Sequence, residues 1–277
     1  MTYKTILVHY DAGKYAAARL EIALPLADRF DAHVVGLYAE SVTQSGSHSL
    51  GEGSQIVVEA MQRNARDRRK AAADAFTARV QRLGLARNEW RTSTADAADA
   101  LALHARYADL LVIGQWTDDD PADHRKDLPA RVLLGAGRPV LVVPYAREER
   151  PVGERVLVAW SATRESTRAV TDALGFLKAA KKVSVVAFNP RAGDAHGAQP
   201  GADIATWLAR HGVKVEIAQQ SVADLDVGNQ LLSRAADMSA DMIVMGAYGH
   251  SRLQELILGG VTRTLLDSMT VPVLMSH

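Results

Sequence analysis

Asp241-Met-Ile-Val-Met-Gly246 is an apolar run that stops at a glycine, as a buried strand does where it leaves a sheet. Gly249 lies beyond the next two residues, and after nine more residues the pair Gly259-Gly260 opens a helical pattern. The stretch therefore predicts a strand, a loop and a helix start. Open α/β sheets bind anionic ligands at such loops, because backbone N–H groups and the positive end of the helix dipole converge there.

The same apolar run occurs earlier in the chain, as Asp109-Leu-Leu-Val-Ile-Gly114. Three further strand-like segments also recur in the same order, pairing 4–9 with 154–160, 32–38 with 182–188, and 138–144 with 271–275. Four ordered matches in halves of similar size indicate a tandem duplication. The charged stretch 146–153 contains a proline and a glycine and has the composition of a linker. We predict two domains, residues 1–147 and residues 152–277.

Strand-like and helical patterns alternate within each half, which predicts a parallel sheet with right-handed crossovers and helices on both faces. The strands are apolar nearly throughout, as expected when both faces are covered. The predicted helices are 14–30, 55–83, 94–107, 164–180, 202–212 and 226–238, and a further strand is 213–217. Residues 41–54 and 189–201 are rich in glycine with serine or proline and are predicted to be loops. Either loop is a mobile surface segment or a lid over a ligand.

Composition excludes several classes of function. Thirty-two basic residues balance thirty-two acidic ones, so the positive charge typical of a nucleic-acid-binding protein is absent. The chain has no cysteine, which rules out disulfides, thiol nucleophiles and cysteine-bound metals. Neither a secretory signal pattern nor an apolar run of about 18 residues is found. We expect a cytoplasmic protein without nucleic-acid or membrane partners.

The order of G-x-x-G, nine residues, and a glycine before a hydroxyl-containing helix start resembles the ATP-binding signature of the universal stress protein family. Residues 156–159 and 272–275 also resemble the first and last strands of that family, and the resemblance covers nearly the whole chain. It implies two tandem doubly wound α/β domains, each with a five-stranded parallel sheet of order 3-2-1-4-5 and helices on both faces. A nucleotide would lie between the ends of strands one and four.

The resemblance also implies a set of nucleotide-binding residues. The adenine would lie near Ala159, Ser161 and Ala187 or Phe188, the ribose and phosphates near Met245, Gly246 and Gly249, and the phosphate tail at Gly259, Gly260, Val261 and Thr262. The implied ligand is ATP, ADP or AMP, and whether magnesium accompanies it is left open. No catalytic residue and no protein-bound metal are implied.

Two departures from the family pattern predict weakened binding in the second half. Nucleotide-binding members usually have serine or threonine where this chain has Gly260, and aspartate where it has Ser161. A lost hydroxyl hydrogen bond costs about 0.5–1.5 kcal/mol, or roughly a two- to tenfold loss of affinity. The backbone donors remain, so we expect reduced rather than abolished affinity.

The first half departs from the family pattern in the reverse way: it keeps the aspartate but loses the glycine loop. Asp11 stands where the family aspartate belongs, but Thr117 replaces the second glycine and is followed by Asp118-Asp-Asp120. Three carboxylates would repel a polyphosphate, so we expect that this half does not bind ATP by the same route. The carboxylates could belong to a magnesium site or to a solvated acidic loop.

The sequence contains none of the common motifs of other catalytic or nucleotide-binding sites. The P-loop, the G-x-G-x-x-G fingerprint, the H-E-x-x-H motif and the G-x-S-x-G elbow are all absent. His250 lies inside the glycine loop, where either contact with phosphate or exposure to solvent is possible.

These observations favour a sensor or regulator of the stress response that binds an adenine nucleotide. Two alternatives stay open: an interaction module that binds no nucleotide, and a slow ATPase or phosphotransferase. The strands 140–143 and 273–275 would be exposed edges in isolated domains. We therefore expect the two halves to pack through these strands, and homodimerisation is left open.

Overall fold

The computed structural model describes residues 3–40, 54–120, 126–146, 150–188, 201–220, 226–249 and 260–277. The two predicted loops lie almost entirely outside these ranges, as do His250 and Gly259. None of the helices within the described ranges combines the length and apolar composition that a membrane crossing requires.

Ten strands form one sheet. They are β1 (Thr5–His9), β2 (His33–Ala39), β3 (Asn88–Ser93), β4 (Leu110–Gly114), β5 (Val140–Val143), β6 (Arg155–Trp160), β7 (Lys182–Phe188), β8 (Val215–Gln220), β9 (Met242–Gly246) and β10 (Val273–Ser276). Their spatial order is β3-β2-β1-β4-β5-β10-β9-β6-β7-β8. Each half thus has the order 3-2-1-4-5 with parallel pairing, which confirms the predicted fold class.

The two halves join through their last strands, as the sequence predicts. Strands β5 and β10 pair in antiparallel orientation, with Val142 opposite Val273 and Leu141 opposite Leu274. Because the halves run in opposite directions, the carboxyl ends of their strands lie at opposite edges of the sheet. Any two sites at equivalent positions in the halves are therefore on opposite sides of the molecule.

Nine helices are present in the described part of the chain. They are α1 (Ala16–Phe30), α2 (Ser54–Arg82), α3 (Ala97–Ala105), α4 (Leu128–Gly135), α5 (Arg164–Asp172), α6 (Leu174–Ala179), α7 (Ala202–Arg210), α8 (Val227–Asp237) and α9 (Gly260–Ser268). The prediction of one continuous helix over 164–180 was wrong, because the helix is divided at Ala173 into α5 and α6. The position of the helical region was predicted correctly. Helix α4 and strand β3 had no counterpart among the segments predicted from residue patterns.

A continuous apolar core crosses the junction between the halves. Tyr3 and Phe30 of the first half pack on Phe176 of the second, with ring centroids 5.0–5.4 Å apart and two of the three contacts edge-on. All three side chains are buried in one cluster that contains residues from both halves. The aromatic contact adds to the β5–β10 pairing, so the halves share a core as well as a sheet.

The aspartates that open the two matching runs anchor the first strand of each half. Asp241 accepts hydrogen bonds from the backbone N–H groups of Gly153, Glu154 and Arg155, at 2.8–3.1 Å. Asp109 accepts from the N–H groups of Lys4 and Thr5, at 2.7 and 2.9 Å. In each half the aspartate therefore holds the start of the first strand beside the start of the fourth strand. Asp109 does so for β1 and β4, and Asp241 for β6 and β9.

Candidate functional site

Helix α5 begins just beyond the carboxyl end of β6, and its first turn forms one wall of the candidate site. Thr163 is the N-cap: its hydroxyl accepts from the Ser166 backbone N–H at 3.2 Å. The Ser166 hydroxyl in turn lies 3.0 Å from the Thr163 backbone N–H, which completes a reciprocal capping box. Such a cap fixes the first turn and satisfies two of its free N–H groups.

Gly246, at the end of β9, lies directly under that turn. A Cβ atom on this residue would be 2.5 Å from the Ser166 backbone nitrogen and 2.6 Å from the Glu165 carbonyl carbon. No side chain fits at that distance, so the glycine is required for α5 to pack on the strand end. The family resemblance placed Gly246 at the ribose and phosphates, and the structure adds this packing role.

Two residues in the loops after β6 and β9 have left-handed backbone conformations. Ala162 has φ = 54° and Tyr248 has φ = 55°. This conformation costs about 1–2 kcal/mol for a residue with a Cβ atom. Tyr248 donates its backbone N–H to the hydroxyl of Thr262, at a long 3.5 Å. Thr262 is buried, so its side chain links the first turn of α9 to the glycine loop.

Gly249 is exposed and lies beside a carboxylate. A Cβ atom on Gly249 would be 3.0 Å from Glu165 Oε2 and 3.3 Å from Thr163 Oγ1. The Glu165 side chain is only 8% exposed. Burial raises its pKa, but hydrogen bonds from its own backbone N–H and the Thr163 side chain, together with Arg164, leave the pKa below its ordinary value. Glu165 is therefore ionised at neutral pH.

The remaining predicted site residues are distributed as follows. Ala159 and Val261 are half-buried, Ser161 and Gly260 are exposed, Met245 is buried, and Ala187 is completely buried within the sheet. Ser161 Oγ lies 3.2 Å from Thr163 Oγ1, which ties the end of β6 to the cap of α5. Gly259 lies outside the described residues.

The structure thus joins three segments at one edge of the sheet: the loop after β6, the Gly246–Gly249 loop and the start of α9. Ser161, Gly249 and Thr262 belong to this group, whereas Ala187 offers no exposed surface. The sequence interpretation missed Thr163 and Glu165. The threonine before a helical pattern was a signal for the cap, but nothing in the spacing shows that Glu165 contacts the glycine loop.

In the first half the equivalent cleft is filled by Arg19. Its Nη2 lies 2.5 Å from Asp11 Oδ2, its Nε donates to the His9 carbonyl at 2.7 Å, and both charged side chains are about 95% buried. A Cβ atom on Gly114 would be 2.7 Å from Arg19 Nη1, so the guanidinium lies on the end of β4. In the second half the repeat places Ala169 at the position of Arg19.

This arrangement gives a structural reason for the expected difference between the halves. Asp11, which the resemblance would place at the adenine, is paired with Arg19 instead. The cavity that remains beside them has a volume of about 30 Å³, far smaller than the roughly 300–1,000 Å³ of typical ligand pockets. Within the described ranges, including Asp118–Asp120, no three histidine or carboxylate side chains converge on a point that could hold a metal ion.

Comparisons with known proteins agree with this architecture. Residues 153–277 match the model of the universal stress protein family. The chain is 24% identical over 292 residues to a universal stress protein of Synechocystis sp., covering 98% of this chain and 99% of the relative. A universal stress protein structure from Archaeoglobus fulgidus superposes with a TM-score of 0.70 at 17% identity, covering 98% of this chain and 95% of the other. A protein of unknown function from Pseudomonas aeruginosa PAO1 superposes with a TM-score of 0.63 at 16% identity, covering 99% and 92%. At these identities the two structures establish a common fold.

Proposed function

Because residues 153–277 match the universal stress protein family model and the whole chain aligns with a universal stress protein, we propose that residues 152–277 bind ATP or a related adenine nucleotide between the carboxyl ends of β6 and β9. In this proposal the protein is a cytoplasmic sensor or regulator of the stress response rather than a dedicated catalyst. Residues 1–147 form a second domain of the same fold whose nucleotide cleft is filled by Arg19.

The observation that supports this proposal is the meeting of two helix starts with the glycine loop. The Thr262 hydroxyl, at the start of α9, accepts a hydrogen bond from the Tyr248 backbone N–H in the loop. Gly249, in the same loop, lies beside Glu165 in the first turn of α5. Backbone N–H groups at helix starts and in loops of this kind favour anions such as phosphate. Ser161, Gly249 and Gly260 are exposed, which leaves this edge open to a ligand.

Isothermal titration calorimetry with ATP tests the proposal. The wild type should bind, and Gly249→Glu should weaken binding by about tenfold or more, because it adds a bulky like charge beside the phosphates. Thr117→Glu is a matched control, since Thr117 holds the position of Gly249 in the first half. It should leave ATP affinity unchanged. Failure of the wild type to bind, or equal binding by Gly249→Glu, contradicts the proposal.

A second candidate is an interaction module that binds no nucleotide. The ionised Glu165 beside the loop supports it, because this carboxylate opposes an incoming phosphate. The absence of a hydroxyl at Gly260 acts in the same direction. Mass spectrometry of small molecules released from freshly purified protein separates the candidates. Released adenine nucleotide supports the first, whereas an empty protein that also fails to bind ATP supports the second.

A further inference from the structure

Glu165 places a negative charge against the loop that we propose receives the phosphates. Its Oε2 is 3.0 Å from where a Cβ of Gly249 would be, and its side chain is almost fully removed from solvent. The cation nearest to it in sequence, Arg164, has Nη2 3.4 Å from Oε1 but is 94% exposed. Such an exposed partner screens a buried charge only weakly.

The position of this carboxylate has a direct consequence for phosphate binding. An opposite charge within about 4–6 Å shifts a pKa by roughly 1–3 units, and a like charge at such a distance acts in the opposite sense; one unit corresponds to a tenfold change in an equilibrium constant. A free polyphosphate at the Gly249 loop would meet this repulsion. The same ligand carrying a divalent cation would meet less repulsion, because the positive charge of the cation offsets the charge of the two negative groups.

The oxygen atoms around Glu165 suit magnesium. The Thr163 hydroxyl is 3.3 Å from the same Gly249 position, and Ser161 Oγ is 3.2 Å from Thr163 Oγ1. Magnesium prefers hard oxygen donors and is usually held by one or two carboxylates together with substrate phosphates. The described residues contain no cluster of three metal-binding side chains, so these residues alone supply too few donors for the ion. In this proposal the phosphates would supply the remaining oxygen donors.

We propose that Glu165 makes phosphate binding in the second half dependent on Mg²⁺. The site then selects the magnesium complex of the nucleotide and rejects the metal-free anion. The role of the carboxylate is to hold the bridging ion and to exclude phosphate that lacks one. This inference rests on the proposed nucleotide site, and it assigns Glu165 as the residue that determines the form of the ligand.

Calorimetry on the full chain tests this role, with ATP and with adenosine, each in excess Mg²⁺ or in EDTA. The wild type should bind ATP about tenfold or more weakly in EDTA, whereas its affinity for adenosine should not depend on Mg²⁺. Glu165→Gln should bind metal-free ATP more tightly than the wild type does and should lose most of the Mg²⁺ dependence. Glu165→Asp keeps the charge and should retain that dependence.

Glu216→Gln serves as the control, because Glu216 lies on β8 in an exposed pair with Lys182. It should behave as the wild type, and thermal melting establishes that each variant is folded. Equal Mg²⁺ dependence in the wild type and Glu165→Gln overturns the role of Glu165 but leaves the nucleotide site intact. Wild-type ATP binding that does not depend on Mg²⁺ also overturns it, without any variant. Absence of both ATP and adenosine binding in the wild type instead overturns the proposed function.

Discussion

Gly246 and Gly260 differ in how strictly the structure requires a glycine. At Gly246 a Cβ atom would collide with the backbone of α5 at 2.5 Å, so every other residue is excluded. Among the described residues, the atom nearest to a Cβ on Gly260 would be Asp226 Oδ1 at 3.9 Å, an ordinary contact. Gly260 is also exposed at the start of α9. Packing therefore does not require a glycine at position 260, and a residue with a hydroxyl group would fit there.

Gly260→Ser should restore a phosphate donor without disturbing the fold. We expect a two- to tenfold gain in ATP affinity, because one additional hydrogen bond contributes about 0.5–1.5 kcal/mol. Calorimetry measures the gain, with Gly260→Ala as the matched control that adds a Cβ but no hydroxyl. An equal gain in both variants would assign the effect to helix propensity and not to the hydroxyl.

At the scale of the elements, Asp109 and Asp241 fix the first strand of each half through the same kind of hydrogen bond to backbone N–H groups. Asp241 is 9% exposed and serves three backbone N–H groups, of which that of Gly153 is buried. Asp109 serves two N–H groups, and the bond to Lys4 is exposed to solvent. Water can replace the carboxylate of Asp109 more easily than that of Asp241. The two equivalent residues should therefore differ in their contribution to stability.

Asp241→Ala should lower the free energy of unfolding by about 2–3 kcal/mol, since it leaves three backbone donors, one of them buried, without an acceptor. Asp109→Ala should lower it by about 1 kcal/mol, as expected for partly solvated hydrogen bonds. Urea denaturation measures both through the shift in midpoint at constant slope. Equal losses in the two variants would show that burial does not decide the cost.

The sequence predicted those elements whose apolar pattern is intact. Strand β7 was predicted with its observed bounds, Lys182–Phe188. Helix α2 was predicted instead from its content of alanine, arginine and lysine, and its bounds agree within one residue at each end. Strand β3, Asn88-Glu-Trp-Arg-Thr-Ser93, is a half-exposed edge strand without an apolar run, so periodicity does not reveal it. At the site, spacing located the glycine loop but not Glu165. The position of Glu165 depends on how closely α5 approaches β9, and no local pattern records that approach.

At the scale of the whole molecule, the antiparallel junction separates the two clefts. Residues of each half reach across it: Arg29 Nη1 donates to the Val152 carbonyl at 3.0 Å, and Gln115 Nε2 donates to the Leu266 carbonyl at 2.9 Å. The Arg19-filled cleft lies at one edge of the sheet and the proposed nucleotide site at the other. If a nucleotide binds at the proposed site, any effect on the first half must pass through the shared sheet and core, because the two clefts are not in direct contact.

The junction also predicts what each half does alone. Residues 152–277 without the first half would expose β10, whose residues are fully buried in the intact chain, and one face of Phe176. An unpaired apolar edge is a template for pairing with another chain. The isolated half should therefore form dimers or larger species in light scattering. Added residues 1–147 should convert these species into a one-to-one complex, because β5 and the Tyr3–Phe30 pair restore the natural partners. A stable monomer of 152–277 would show that this edge does not drive association, and that the halves are joined mainly by their covalent connection.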